Sequence, residues 1–221
     1  MTVLRVGLVA TLLFVQALDA GQATYQERDF LTRVRRLTVD GRRAGEGYWS
    51  PDGKRLVFQS EREPGNPFYQ IYVLDLSSGE TKRISPGFGK TTCAFFRPGT
   101  DEIEFASTHA DPKSKQLQEE ELATRASGKE RRYSWDYDPE MDIYSYSEKT
   151  GAMKRLTTAR GYDAEGSYSP DGRWIVFSLA LPESAGVAHV YRARPDGTQL
   201  AKMSNAPNSD FLVSWGRPPG A

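Results

Sequence analysis

The sequence predicts an all-β fold of repeated four-stranded units, an incomplete β-propeller. Three observations predict it. "EGYWSPDGKRLVF" (46–58) and "EGSYSPDGRWIVF" (165–177) are the same sentence written twice, identical at eight of thirteen positions. A short basic motif, "RRLT", "KRIS", "KRLT" and then "AKMS", precedes each copy at a fixed distance. Leu37 to Pro51, Ile84 to Pro98 and Leu156 to Pro170 are each 14 residues, and Met203 to Pro218 is 15. Between these motifs recur "IYVLDLSSGE", "IYSYSEKTGA" and "VYRARPDGTQ". The period is 47 residues, since Pro98 and Phe105 follow Pro51 and Phe58 by that distance. Units of about 40–45 residues with four strands are the signature of a propeller blade.

Each element of a unit has its own cause. In the first, Leu56 and Phe58 alternate with more polar neighbours, as in a half-buried strand. "SPDG" places Pro second and Gly fourth, which suits a β-turn between two strands. "QIYVLDL" is aromatic and β-branched, a third strand. "SSGE" is a turn, and "TKRIS" is an outer strand whose charges suit a sheet edge. The units fall at about 44–86, 91–158 and 163–204, and another starts at 209–221. Before them, Arg35–Thr38 reads as an outer strand without its three companions. After them, Phe211–Trp215 reads as one inner strand. The expectation is therefore three complete blades with partial blades at both ends. Such a stack is a fragment of a longer propeller, or it closes by self-association through ends such as "IYVLDL" and "RWIVFSLAL".

The second unit is longer by 25 residues, an insertion lying at about 108–141. "DPKSKQLQEEELATR" within it predicts an exposed helix with Asp111 as N-cap and Pro112 at the first helical position. In a four-stranded meander, connections alternate between two faces. The insertion thus shares a face with the interblade loops "DGRRA", "PGFGK" and "ARGYDA". Arg42, Arg43, Tyr133, Trp135, Tyr137, Tyr162 and Asp163 fall on this face, and aromatic and Arg side chains dominate interface hot spots. They are the candidate partner-binding residues.

The N-terminus reads differently. Residues 1–23 hold Arg5, an apolar run from Val6 to Val15, then small residues, the layout of a secretory signal peptide. The run is too short to span a bilayer. Cleavage after Ala23 or Ala20 places the mature chain, residues 24–221, in the periplasm or medium without stable membrane insertion. The 29 basic and 29 acidic residues cancel, which gives no electrostatic case for nucleic acid.

The joined pattern W/Y-S-P-D-G-K/R-x-L/I-V-F, then I/V-Y, then K-R-L/I-T/S resembles the propeller repeat of TolB and TolB-like proteins, over about Arg35–Trp215. The resemblance implies a TolB-type propeller. It also implies a non-enzymatic scaffold in the bacterial envelope that binds a protein partner, as TolB does in the Tol–Pal system. TolB-like proteins resemble a six-bladed ring preceded by an α/β domain. Here only Thr24–Val34 precede the first motif, and the second unit has "RPGT" for "SPDG". The same repeat occurs in oligopeptidase propellers. That leaves the alternative of a gating propeller whose catalytic domain lies outside this chain.

Candidate chemistry is sparse, and no cofactor is implied. No G-x-S-x-G elbow or H-E-x-x-H motif occurs. Cys93, the only cysteine, reads as a small core residue. His189 fills the slot of Gln70 and Asp142 in the other units, a structural position. His109 reads as a solvated loop residue. Asp136, Asp138, Glu140 and Asp142 alternate like calcium-seeking oxygens, but without EF-hand spacing they are expected to face water. Glu46 and Glu165 recur at the inner-strand starts, where Cys93 and Val213 stand in the other units. Channel lining or structural hydrogen bonding suits them.

Overall fold

A computed structural model describes residues 26–129, 137–184, 186–210 and 215. It divides into two units, Met1–Val39 and Asp40–Ala221. In the first, Glu27–Asp29 forms a single 3-10 turn, in which the Gln26 backbone N–H donates to Asp29 Oδ2 at 2.9 Å. Arg35–Thr38 is not a strand, contrary to expectation. An outer strand exists only through its ladder with the third strand of its own blade, and among the described residues no strand pairs with Arg35–Thr38.

The second unit holds three four-stranded antiparallel blades. Blade one is β1 (Arg43–Trp49), β2 (Arg55–Glu61), β3 (Gln70–Asp75) and β4 (Thr81–Arg83). Blade two is β5 (Thr91–Phe96), β6 (Glu102–Ser107), β7 (Glu140–Ser147) and β8 (Met153–Arg155). Blade three is β9 (Gly161–Tyr168), β10 (Ile175–Ala180), β11 (Ala188–Ala193) and β12 (Ala201–Lys202). Their strands run over 43–83, 91–155 and 161–202. The fourth inner strand, Phe211–Trp215, lies almost wholly outside the described residues. Its neighbours follow the repeat: the Asp210 N–H donates to the Ala188 carbonyl at 3.0 Å, as Thr91 does to Tyr69 at 3.2 Å.

The turns form for the reasons read from sequence. The Ser50 hydroxyl donates to Asp52 Oδ1 at 2.6 Å and accepts from the Arg55 N–H, while the Gly53 N–H closes onto the Ser50 carbonyl. Ser169, Asp171, Gly172 and Trp174 repeat this arrangement in blade three. These bonds hold Asp171 well below the usual carboxylate range. Gly172 is required twice over. Its φ is +65°, and a Cβ there would lie 2.9 Å from the Pro98 carbonyl of blade two's turn.

Packing between blades follows one rule. Val57, Ile71, Val73 and Ile84 on the trailing side of blade one meet Phe96, Ile103, Phe105, Tyr144 and Tyr146 on the leading side of blade two. Ile143 and Leu156 of blade two meet Tyr168, Ile175 and Phe177 of blade three in the same way. Phe58, Tyr72 and Leu74, the leading side of blade one, form a small cluster of their own. The inner-strand aromatic is 3% exposed in blades two and three (Phe96, Tyr168) but 58% exposed in blade one (Trp49).

The insertion joins β6 to β7. Its helix α1 runs from Ser114 to Ala126, and Lys113 rather than Asp111 is the N-cap residue. Asp111 instead closes a preceding turn, its Oδ1 accepting from the Lys113 N–H at 2.8 Å and its carbonyl from the Ser114 N–H at 3.0 Å. Pro112 at the second turn position favours that turn over one more helical residue.

Candidate functional site: the insertion-bearing face and the inner-strand bulges

Helix α1 bends back over blade one. Ser114, Leu117, Gln118, Glu121 and Arg125 recur at three- and four-residue spacing and form its less exposed stripe. Gln118 Nε2 donates to the Gly65 carbonyl at 2.6 Å. Arg125 donates to Glu61 Oε1 at 2.6 Å, to the Pro67 carbonyl at 2.8 Å and to Glu121 at 2.8 Å. Glu61 ends β2 and is almost fully buried. It also accepts from Arg43 Nε at 2.7 Å and lies 3.8 Å from Arg42. The Arg43 guanidinium stands 4.5 Å from the Tyr69 ring centre, a cation–π contact. Three guanidinium groups thus converge on one carboxylate where β1, β2 and α1 meet.

Of the seven predicted face residues, Arg42 and Arg43 belong to this cluster. Tyr137 is half-buried and packs against the core between blades two and three. Burial raises its phenol pKa. Tyr162 and Asp163 are not on the surface, at 5% and 1% exposure. They begin β9, and the β7–β9 contact of Met141 with Tyr162 covers that end of the strand. Tyr133 and Trp135 lie outside the described residues. Sequence reading missed Glu61, Tyr69 and Arg125. The stripe along α1 was the available signal for Arg125.

The acids expected to face water do not all do so. Asp138 is buried and paired with Lys90 at 3.2 Å, and Asp142 is buried and paired with Arg155. Asp136 lies outside the described residues. Among the described residues no group of three or more His, Cys, Asp or Glu side chains is arranged to hold a metal ion. His109 is half-buried rather than solvated. Its Nδ1 lies 2.9 Å from the Ser107 hydroxyl and its ring 4.3 Å from the Tyr144 ring. Burial, and then Arg155, lower its pKa. His189 occupies the expected blade slot. In each blade a hydroxyl after the fourth strand accepts the N–H of the residue following that slot: Ser85 from Ile71, Thr157 from Ile143, Ser204 from Val190.

Glu46, Cys93 and Glu165 turn out to be one position three times. Each is a non-glycine residue with positive φ, at +45°, +52° and +61°, and each sits where the β1–β2, β5–β6 and β9–β10 registers slip. The repeated bulge turns three inner-strand side chains toward one another. The Cys93 thiol donates to Glu46 Oε2 at 3.0 Å and lies 3.1 Å from the Thr92 hydroxyl. Burial, then Glu165 and Glu46, raise its pKa well above the ordinary thiol value, so it is a poor nucleophile. Burial, then Glu46, also raise Glu165.

The fold is shared with known proteins. The chain aligns with a TolB structure from Agrobacterium tumefaciens at a TM-score of 0.55 and 21% identity, over 79% of this chain and 52% of that one. TolB from Acinetobacter baumannii aligns at 0.53 and 22% identity, over 75% and 33%. The fold is a TolB-like β-propeller. The TolB-like propeller also aligns, at 0.54 and 12% identity, with a puromycin-hydrolyzing peptidase of Mycobacterium tuberculosis, covering 24% of that chain. By sequence it is 28% identical to the uncharacterized protein Atu1656 of Agrobacterium fabrum, over 74% of this chain and 59% of that protein. It is 27% identical to the uncharacterized peptidase YuxL of Bacillus subtilis, over 65% of this chain and 23% of that protein. The chain therefore spans less than two thirds of either relative. No protein-family model matches it.

Proposed function

We propose that this TolB-like propeller is a non-enzymatic scaffold of the cell envelope that holds a protein partner on its insertion-bearing face. One observation carries the reading: the Arg43–Glu61–Arg125 cluster clamps α1 across blade one. A clamped helix is a fixed surface, and fixed arginine and aromatic side chains cost little ordering entropy on binding. The raised thiol pKa of Cys93 supports a structural rather than catalytic role for the inner-strand bulges. Export rests on the layout of residues 1–23. Mass spectrometry of the envelope fraction should find a mature N-terminus near Thr24 or Gly21. Intact Met1 on cytoplasmic protein would overturn export.

Affinity capture from envelope extract tests the partner. Deleting 113–129 should abolish capture of the specific partner. Arg125→Ala, which unclamps the helix, should weaken it about tenfold or more, equivalent to roughly 1.4 kcal/mol. Capture unchanged in both would remove the reading. A second reading has its own support in the likeness to peptidases: the propeller gates a hydrolase supplied elsewhere. A captured protein that reacts with a fluorophosphonate probe for serine hydrolases would favour it.

A further inference from the structure

Blades two and three touch along β7 and β9, where Glu140 stands beside Gly161 and Met141 beside Tyr162 in a short parallel bridge. The next residue on each strand is an aspartate. Asp142 and Asp163 are each 1% exposed. Arg155 of β8 binds Asp142. The Thr157 hydroxyl lies against both carboxyl groups, 3.4 Å from Asp142 Oδ1. Oδ1 of Asp163 has no hydrogen-bond partner. The Arg155 guanidinium thus pairs with Asp142, while Asp163 stands buried at the same seam with one oxygen unpaired. Like charges in one buried site resist joint ionisation, and one bound proton removes the imbalance.

We propose that the seam between blades two and three is a proton-operated joint, in which Asp163, buried beside the Arg155-paired Asp142, carries a proton while the blades are seated. Departure of that proton loosens the seam. The surrounding groups fit. Glu140 on β7 adds negative charge beside Asp142, and the Tyr137 and Tyr191 phenols near Asp163 stay neutral because burial raises both. Burial raises Asp142 to about 6 and Asp163 to about 7.

Both values lie above the ordinary aspartate value, so across this window the folded chain binds more protons than the unfolded chain. Stability from the pair is fully present below the unfolded value. It is lost as pH rises through the folded values. His109, which faces Arg155, has a lowered pKa and the opposite sign. A loss of stability on raising pH therefore does not come from His109.

The test measures the melting temperature at about pH 5 and about pH 8, in a Glu104→Gln/Glu165→Gln background that removes the other carboxyl groups whose pKa burial raises. The reference protein should melt lower at the higher pH, and Asp163→Asn should flatten that dependence. An equal fall in both, or no fall in the reference, would overturn the joint. Should Asp163→Asn fail to fold, infrared difference spectroscopy of the reference protein decides. A protonated-carboxyl band that vanishes across the same range supports the proposal, and absence of a titrating band sinks it.

Discussion

Phe177→Ala should cost about 3–5 kcal/mol of stability, the range for truncating a buried Phe in a well-packed core. Phe177 has no exposed surface and stands where blade three meets Ile143 and Leu156 of blade two. Phe105, its counterpart 72 residues earlier, is equally buried in the seam between blades one and two. Phe105→Ala should fall in the same range. Phe58 occupies the same repeat position in the small cluster of blade one, so Phe58→Ala should lose less. Lys54→Ala, on an exposed turn, should change stability by less than about 0.5 kcal/mol. Thermal melts of the four variants check the order. For a chain of this size a loss of 4 kcal/mol lowers the melting temperature by about 10 °C. Equal small shifts in all four would contradict the assigned register.

Glu104→Val should stabilise the protein by about 1–3 kcal/mol. Glu104 is completely buried, neither oxygen has a partner, and burial raises its pKa well above the usual carboxylate value. The repeat shows what the position otherwise holds: Val57 in blade one and Val176 in blade three. The glutamate also constrains its neighbour. A Cβ on Gly166 would lie 2.9 Å from Glu104 Oε1. Gly166→Ala should therefore be destabilising alone and better tolerated together with Glu104→Val. Chemical denaturation of the two single variants and the double variant measures both effects. A loss of stability in Glu104→Val would mean that the acid has a partner, such as an ordered water, that outweighs its burial.

The strand order and turns were legible because they depend on short-range pattern. "SPDG" closes the same turn wherever it occurs, and "IYVLDL" has no better use than a buried strand. The face was legible only in part. Arg42 and Arg43 were found because the interblade loop "DGRRA" carries them. Tyr162 and Asp163 were misplaced because interblade packing decides which end of β9 is covered. The acids of "DYDPEMD" were misread for a related reason. Alternation signals a half-solvated strand, but β7 is covered on both sides, and Lys90 and Arg155 from outside that segment neutralise Asp138 and Asp142.

The sequence by itself determined the four-stranded unit, its period, its insertion and the equivalence of Glu46, Cys93 and Glu165, because a repeat compares each position with its own copies. Only the tertiary structure decided that these three share a left-handed bulge and meet, and that α1 is clamped by Glu61. It alone decided that two aspartates from different blades are buried at one seam, only one of them paired with Arg155. Those outcomes depend on where separate strands place their side chains in space, and no local pattern encodes the distance between residues that are far apart in the chain.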